Sequence, residues 1–261
     1  MMKDILSEII AHKKTEVAVR KAEIPFAVLE KHLTGRTIPF HSMKAALEQS
    51  STGIIAEFKR RSPSKGWINQ PADAAEVTKA YEAAGAAVLS VLTDEEFFGG
   101  TLADLQKATQ TVQIPVMRKE FIVDEYQLFE AKLAGASAIL LIAAAITKEE
   151  SKRFTELALQ LQLDVLLELH DERETDYITP HNNLIGINNR NLGSFVTDLD
   201  KSYRMIGQLP KEAVLVSESG ISDPKIVNEL REAGYRGFLI GEHFMRTTNP
   251  GESLRCFVQR L

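Results

Sequence analysis

Eight short apolar runs recur along this chain, separated by segments of helical period, and that alternation constrains the fold more than any single motif does. The strand candidates are 54–59, 86–93, 115–120, 138–144, 164–169, 184–190, 213–219 and 237–242. Strands covered on both faces of a parallel sheet read as nearly continuous runs of this kind. Between them, 72–85, 101–112, 124–136, 147–162 and 223–234 place apolar residues three and four apart, on one face of a helix. Several of these segments stop at a glycine just before the next strand, as at Gly85, Gly135 and Gly234. Glycine takes the left-handed conformation that ends a helix without a Cβ penalty. Eight βα units predict a closed (β/α)8 barrel, a TIM barrel, rather than an open doubly wound sheet, which has fewer strands and a Gly-rich turn after the first. Here the first strand runs into KRRSPSKG (59–66), with no GxGxxG.

Residues 1–50 precede the barrel and are rich in helix formers, with Ile5, Ile9, Val17 and Leu29 set among charges. They are expected to form an N-terminal helical extension packed on the barrel, over one of its mouths. No linker or low-complexity stretch interrupts the chain, so 1–261 reads as a single domain.

The barrel runs are unusual in how they end. IIAEFK (54–59), PVMRKEF (115–121), DVLLELH (164–170), LIGINNR (184–190) and AVLVSESG (213–220) each close on charged or amide residues. Charges are seldom buried unless paired, so Glu57, Lys59, Lys119, Glu168, Asn188, Arg190 and Glu218 require a shared polar site. Residues two apart on a strand share a face, which aligns Glu57 with Lys59 and Asn188 with Arg190. All lie at C-terminal strand ends, where barrels of this kind place their chemistry. His170 follows Glu168 on the same face and either supports it or caps the next helix.

The last two strands end in SESGIS (217–222) and LIGEHFMR (239–246). Loops after strands seven and eight form the recurrent phosphate site of the barrel fold, and Gly220 and Gly241 allow close backbone approach.

Bulk properties narrow the partners. With 31 basic and 36 acidic residues the net charge is −5, which argues against a nucleic-acid partner and in favour of a small phosphorylated one. The charged N-terminus is neither a signal peptide nor a membrane span. One cysteine, Cys256, excludes an intramolecular disulfide and is expected as a partly buried helix residue in a reducing, cytoplasmic protein. The six histidines show no HxH or HExxH spacing, so neither a metal nor a nicotinamide or flavin cofactor is expected.

Joint motifs carry a resemblance. IIAEFKRRSPSKG (54–66), VLTDEEFFGG (91–100), PVMRKEFIVDEYQ (115–127), LLELHD (166–171), IGINNRNL (185–192), VSESGI (216–221) and the IGE of the last strand together resemble the indole-3-glycerol phosphate synthase family of tryptophan biosynthesis. The resemblance spans nearly the whole chain. It implies a carboxy-lyase that closes 1-(2-carboxyphenylamino)-1-deoxyribulose 5-phosphate to an indole with loss of carbon dioxide and water. It implies Lys119 as general acid, Glu168 as base, Lys59 as an acid for dehydration and Glu57 as their electrostatic partner, with the division of steps between the lysines left open. Asn188 and Glu218 match positions that bind substrate hydroxyls, and Arg190 and Ser62 match positions near its anionic groups. The phosphate would rest on Ser219, Gly220, Gly241 and the backbone of Glu242, whose side chain stands where some members carry a small hydroxyl and is expected to point away. Phe97, Phe98, Phe121 and Leu192 are candidates for the aromatic ring's surroundings, and Trp67 with the SPSKG stretch for a mobile lid. A sugar-phosphate isomerase and a non-catalytic metabolite-binding barrel are the competing expectations, and a monomer is expected in either case.

Overall fold

The computed structural model describes residues 5–261. Eight parallel strands close into a barrel: β1 Ile54–Phe58, β2 Val88–Leu92, β3 Val116–Lys119, β4 Ala138–Ile142, β5 Asp164–Leu169, β6 Leu184–Asn188, β7 Val214–Glu218 and β8 Gly237–Ile240. Each strand pairs in parallel with its sequence neighbours, and β8 returns to β1 through Ile55↔Leu239. The five expected helices appear as Ala74–Ala83, Leu102–Thr111, Tyr126–Leu133, Lys148–Gln160 and Pro224–Ala233. Gly85, Gly135 and Gly234 lie at their C-terminal ends with φ of +95°, +84° and +122°. Most strand runs overshot by one or two residues at an end, where the chain has already left the sheet for the loop. Arg190 is an instance: it lies beyond β6 and bridges Thr197.

Strand parity sorts the core into two sets. Ile54, Ala56 and Phe58 of β1, with Leu89, Val91, Ile139, Leu141, Leu167, Ile185 and Leu215, face the surrounding helices. Ile55, with Val88, Met117, Leu140, Leu166, Leu184, Val216 and Leu239, fills the barrel interior. Continuing the interior parity toward the C-terminal ends gives Glu57 after Ile55, Lys119 after Met117, Glu168 after Leu166, Asn188 after Leu184 and Gly186, and Glu218 after Val214 and Val216. The barrel is thus apolar below and ionic above, on the same set of inward positions.

The N-terminal extension forms three helices, Ile5–Glu23, Phe26–Leu33 and Met43–Gln49. It closes both ends of the barrel rather than one. At the lower end Met43 and Leu47 are buried in the interior cluster. Their helix is held there by Asp164, at the start of β5, which accepts from Ser42 Oγ at 2.9 Å and from the Lys44 N–H at 3.1 Å. At the upper end Ile5, Leu6 and Ile9 reach the catalytic mouth. The first helix buries Leu6, Ile9, Lys13 and Val17, one stripe with a lysine in it. Lys13 is fully buried and lies 2.7–3.1 Å from Glu16, Asp94 and Glu120. A buried cation is tolerable only when paired in this way, and the pairing fixes the helix against the loops that follow β2 and β3.

Cys256 departs from expectation: it is exposed. Its helix, Pro250–Val258, buries Leu254 and Phe257, and a residue two positions after Leu254 lies on the opposite side.

Candidate active site

The C-terminal mouth opens on a cleft of about 350 Å³, within the size range of small-molecule sites. Fifteen of the sixteen candidate residues line it: Glu57, Lys59, Ser62, Phe98, Lys119, Phe121, Glu168, Asn188, Arg190, Leu192, Glu218, Ser219, Gly220, Gly241 and Glu242.

The odd-numbered strands supply its ionic centre. Glu57 comes from β1, Lys119 from β3, Glu168 from β5 and Glu218 from β7. Lys119 Nζ lies 3.0 Å from Glu168 Oε2 and 2.9 Å from Glu218 Oε2. Lys59 Nζ lies 2.5 Å from Glu57 Oε1. Burial opposes charge on Lys119, but Glu168, Glu218 and Glu57 outweigh it and raise the lysine above its ordinary range. Glu168 is opposed by burial too, yet Lys119 and then His170 hold it well below the usual carboxylate range. Burial pushes Glu218 up to about 8, with the charge of Glu168 adding to it and Lys119 working against it. Glu168 and Glu218 share Lys119 and titrate as a coupled pair, with negative charge favoured on Glu168. For Glu57, burial is outweighed by Lys59 and Lys119, and its pKa is lowered.

Glycines on or just after the even strands make room for these carboxylates. A Cβ at Gly186, opposite Glu168 in the ladder, would lie 2.2 Å from Glu218 Oε1. A Cβ at Gly241 would lie 2.3 Å from Glu57 Oε1. Gly186→Ala must therefore displace Glu218 from Lys119. A misplacement on the ångström scale costs about 10²-fold in rate, and that drop in kcat is the expected result in steady-state assays of the folded variant.

Around this centre, Asn188 Oδ1 accepts from the Arg190 N–H at 3.0 Å. The Arg190 guanidinium meets Ser64 Oγ at 3.2 Å and Glu242 Oε2 at 3.5 Å. Glu242 thus turns into the cleft rather than pointing out of it, drawn by the charge of Arg190. Ser219 and Gly220 have φ of +67° and +83°, two successive left-handed residues after β7.

Phe97 does not join the cleft. It sits in the single helical turn Glu95–Phe98, where consecutive residues diverge by roughly 100°, and it meets the His12 ring edge-on at 5.6 Å while Phe98 faces Phe121 at 5.8 Å. His170 does not cap the next helix, a role taken by Asp171. Its Nε2 lies 3.1 Å from Glu168 Oε1, a close approach without aligned hydrogen-bond geometry. Trp67 packs locally: it is half exposed, with Arg61 over its ring at 5.7 Å and Gly99 beneath it. The sequence expectations set Ile5 and Ile9 on a helix over a barrel mouth without giving them, or Leu6, to the site, and missed Leu140, Ile142 and Leu239 from the barrel. The last three were accessible through inward parity. The first three were not, because nothing local fixes where a helix docks.

Comparisons with known proteins give the family and the fold. A family model described as indole-3-glycerol phosphate synthase matches residues 6–257. An indole-3-glycerol phosphate synthase of Bacteroides thetaiotaomicron is 56% identical over 261 residues, covering 100% of both chains. One from Polaromonas naphthalenivorans is 40% identical over 260 residues, covering 97% of this chain and 98% of its own. Among solved structures, the tryptophan synthase alpha subunit of Legionella pneumophila superposes with a TM-score of 0.63 at 14% identity, covering 85% of this chain and 98% of its own, which shows the shared fold alone. With a family match over nearly its entire length and relatives that align end to end, this chain belongs to the indole-3-glycerol phosphate synthase family.

Proposed function

We propose that Lys119 is the general acid and Glu168 the general base of the reaction this chain catalyses as a member of its family. The enzyme is a carboxy-lyase of tryptophan biosynthesis that converts 1-(2-carboxyphenylamino)-1-deoxyribulose 5-phosphate to indole-3-glycerol phosphate, carbon dioxide and water. The observation that carries the assignment is the position of Lys119 Nζ, partly buried and bound to two carboxylates within the cleft.

Ring closure needs the aromatic carbon that bears the carboxylate to attack the ketose carbonyl, whose oxygen must gain a proton as charge develops. A lysine kept charged by the glutamates around it, Glu168 foremost, supplies it. Loss of carbon dioxide restores the aromatic ring. Loss of the hydroxyl then needs an acid at the leaving oxygen and a base for the ring nitrogen's side of the elimination. Lys59, paired with Glu57, is placed to serve as the acid, and the charged Glu168 as the base. Among the described residues Glu218 Oε1 has no hydrogen-bond partner, and Asn188 lies beside it in the ladder, which supports both as ligands of substrate hydroxyls. Arg190 and Ser62 suit the substrate's carboxylate, by the paired hydrogen bonds a planar guanidinium offers. Phe98, Phe121 and Leu192 would flank the aromatic ring. The phosphate is assigned to the Ser219–Gly220 and Gly241–Glu242 backbone, a reading supported by the left-handed pair and by the loops' position after β7 and β8.

We also read the chain as one domain acting as a cytoplasmic monomer on a small metabolite. Residues of the extension take part in both the barrel interior and the cleft, which supports the first point. The test of the reaction is incubation of purified protein with the carboxyphenylamino ketose and, separately, with the isomeric aminoaldose. Indole fluorescence is expected with the ketose alone, and its absence at micromolar enzyme would refute the reading. Because the proposed acids and bases are side chains, chelation by EDTA is expected to leave kcat unchanged. Among the described residues no group of three His, Cys, Asp or Glu is arranged to hold a metal. Loss of activity restored by a divalent ion would contradict this.

A further inference from the structure

One buried polar cluster at the catalytic end of the barrel lies outside the cleft's lining. Asn189 follows β6 immediately, and its parity turns it between the strands and the helices rather than into the barrel. Asn189, Ser202 and Ser217 are all fully buried. The Asn189 amide donates to Ser217 Oγ at 3.0 Å and to the Ser219 carbonyl oxygen at 3.3 Å. Ser202 Oγ donates to Asn189 Oδ1 at 2.9 Å. With that proton committed, the 2.9 Å contact between the two serines has Ser217 as donor. Every side-chain proton of the ring is then used once. The amide can sit only one way round, because the flipped arrangement would set its oxygen against the Ser219 carbonyl.

The backbone anchors this ring on every side. The Asn189 N–H donates to the Glu218 carbonyl at 2.9 Å, and the Asp198 N–H donates to the Asn189 carbonyl at 2.9 Å. Tyr235 Oη donates to the Ser202 carbonyl at 2.8 Å. The side chain of Asn189 is therefore a fixed donor aimed at Ser219, a non-glycine residue in the left-handed region, which its surroundings must hold in place.

We infer that Asn189 is a positioning residue for the anion loop: by gripping the Ser219 carbonyl inside the protein, it turns the Gly220 N–H toward the cleft. In a planar trans peptide the C=O and the following N–H point in opposite directions. An oxygen held by Asn189 on the protein side leaves the hydrogen of the same peptide facing the side that Gly220 lines. No acceptor within the described residues takes that N–H. Were the peptide to flip, a carbonyl oxygen would face the anion instead. This inference rests on the assignment of the substrate phosphate to the loop.

The test is Asn189→Asp, which keeps the shape of the side chain but removes both amide donations, to Ser217 Oγ and to Ser219, and sets an oxygen against the Ser219 carbonyl. The KM for substrate and the competitive inhibition constant for inorganic phosphate should both rise about tenfold, the scale of one charge-assisted hydrogen bond, while kcat changes much less. Asn189→Ala, which removes the donor without adding charge, should shift both constants in the same direction and decides the matter if the aspartate variant does not fold. Ser202→Ala breaks the ring but leaves the donor to Ser219, and both constants should stay within about twofold of the parent, a change too small for a lost hydrogen bond. Unchanged KM and phosphate inhibition in folded Asn189 variants, or an equal rise in Ser202→Ala, would overturn the inference. Failure of phosphate to compete in the parent enzyme would instead remove the phosphate assignment, and this inference with it.

Discussion

Replacing Lys119 with alanine is expected to lower kcat by at least about 10³-fold, within the range for loss of a positioned general acid, while the substrate still binds. The lysine is held by Glu168 and Glu218 at 3.0 and 2.9 Å, so no neighbouring cation can take its place without rebuilding the centre. The proposed phosphate and ring contacts lie on other residues, which is why binding should persist. The substitution has a second signature. It leaves two buried carboxylates facing one another without their shared cation, so both are pushed up from their parent values: Glu218, already raised, rises further, and Glu168 is no longer held low by Lys119. A folded-state pKa raised above the unfolded value favours the native state at low pH and costs stability as pH rises. Relative to the parent, the variant should therefore lose melting temperature at pH 7 and regain it toward pH 5. Undiminished turnover would remove Lys119 from the mechanism. A melting deficit that deepens on acidification would contradict the charge arrangement.

Glu168→Gln is the second large effect. The amide keeps the shape of the side chain but cannot accept a proton, and kcat should fall by about 10²- to 10⁴-fold, as for loss of a general base. The same change withdraws the foremost charge that raises Lys119. The lysine should then release its proton at lower pH, and the alkaline limb of the residual kcat profile should move downward. Loss of rate with an unmoved alkaline limb would separate Glu168 from Lys119. An unchanged rate would deny it the role of base.

The two variants touch a centre that was legible in the chain before any coordinates, for a definite reason. Parallel barrel strands are buried on both faces, so an inward residue at a strand end must be apolar or functional, and Glu57, Lys119, Glu168, Asn188 and Glu218 stand out against that requirement. The eightfold alternation gave the barrel in the same way. What escaped depended on partners far off in sequence. Gly186 looks like a weak spot inside a strand until Glu218 is seen filling the space its Cβ would occupy. Lys13 interrupts an apolar helical stripe, and beside its helix neighbour Glu16 it needs Asp94 and Glu120, from two separate loops, to be buried. Phe97 and Phe98 were indistinguishable as neighbours in one motif, and a single helical turn sends one to His12 and the other to the cleft. His170 could be placed beside Glu168 by parity alone, yet its competing role as a helix cap was settled by Asp171.

Opposed acid and base around one anchored sugar phosphate is the central claim, and a crystal structure with bound indole-3-glycerol phosphate tests it most directly. The account predicts the phosphate on the Ser219–Gly220 and Gly241–Glu242 backbone, with Lys119 Nζ and Glu168 each within about 3.5 Å of the ligand or joined to it by one water. A phosphate seated elsewhere, or a product that touches neither Lys119 nor Glu168, would contradict it.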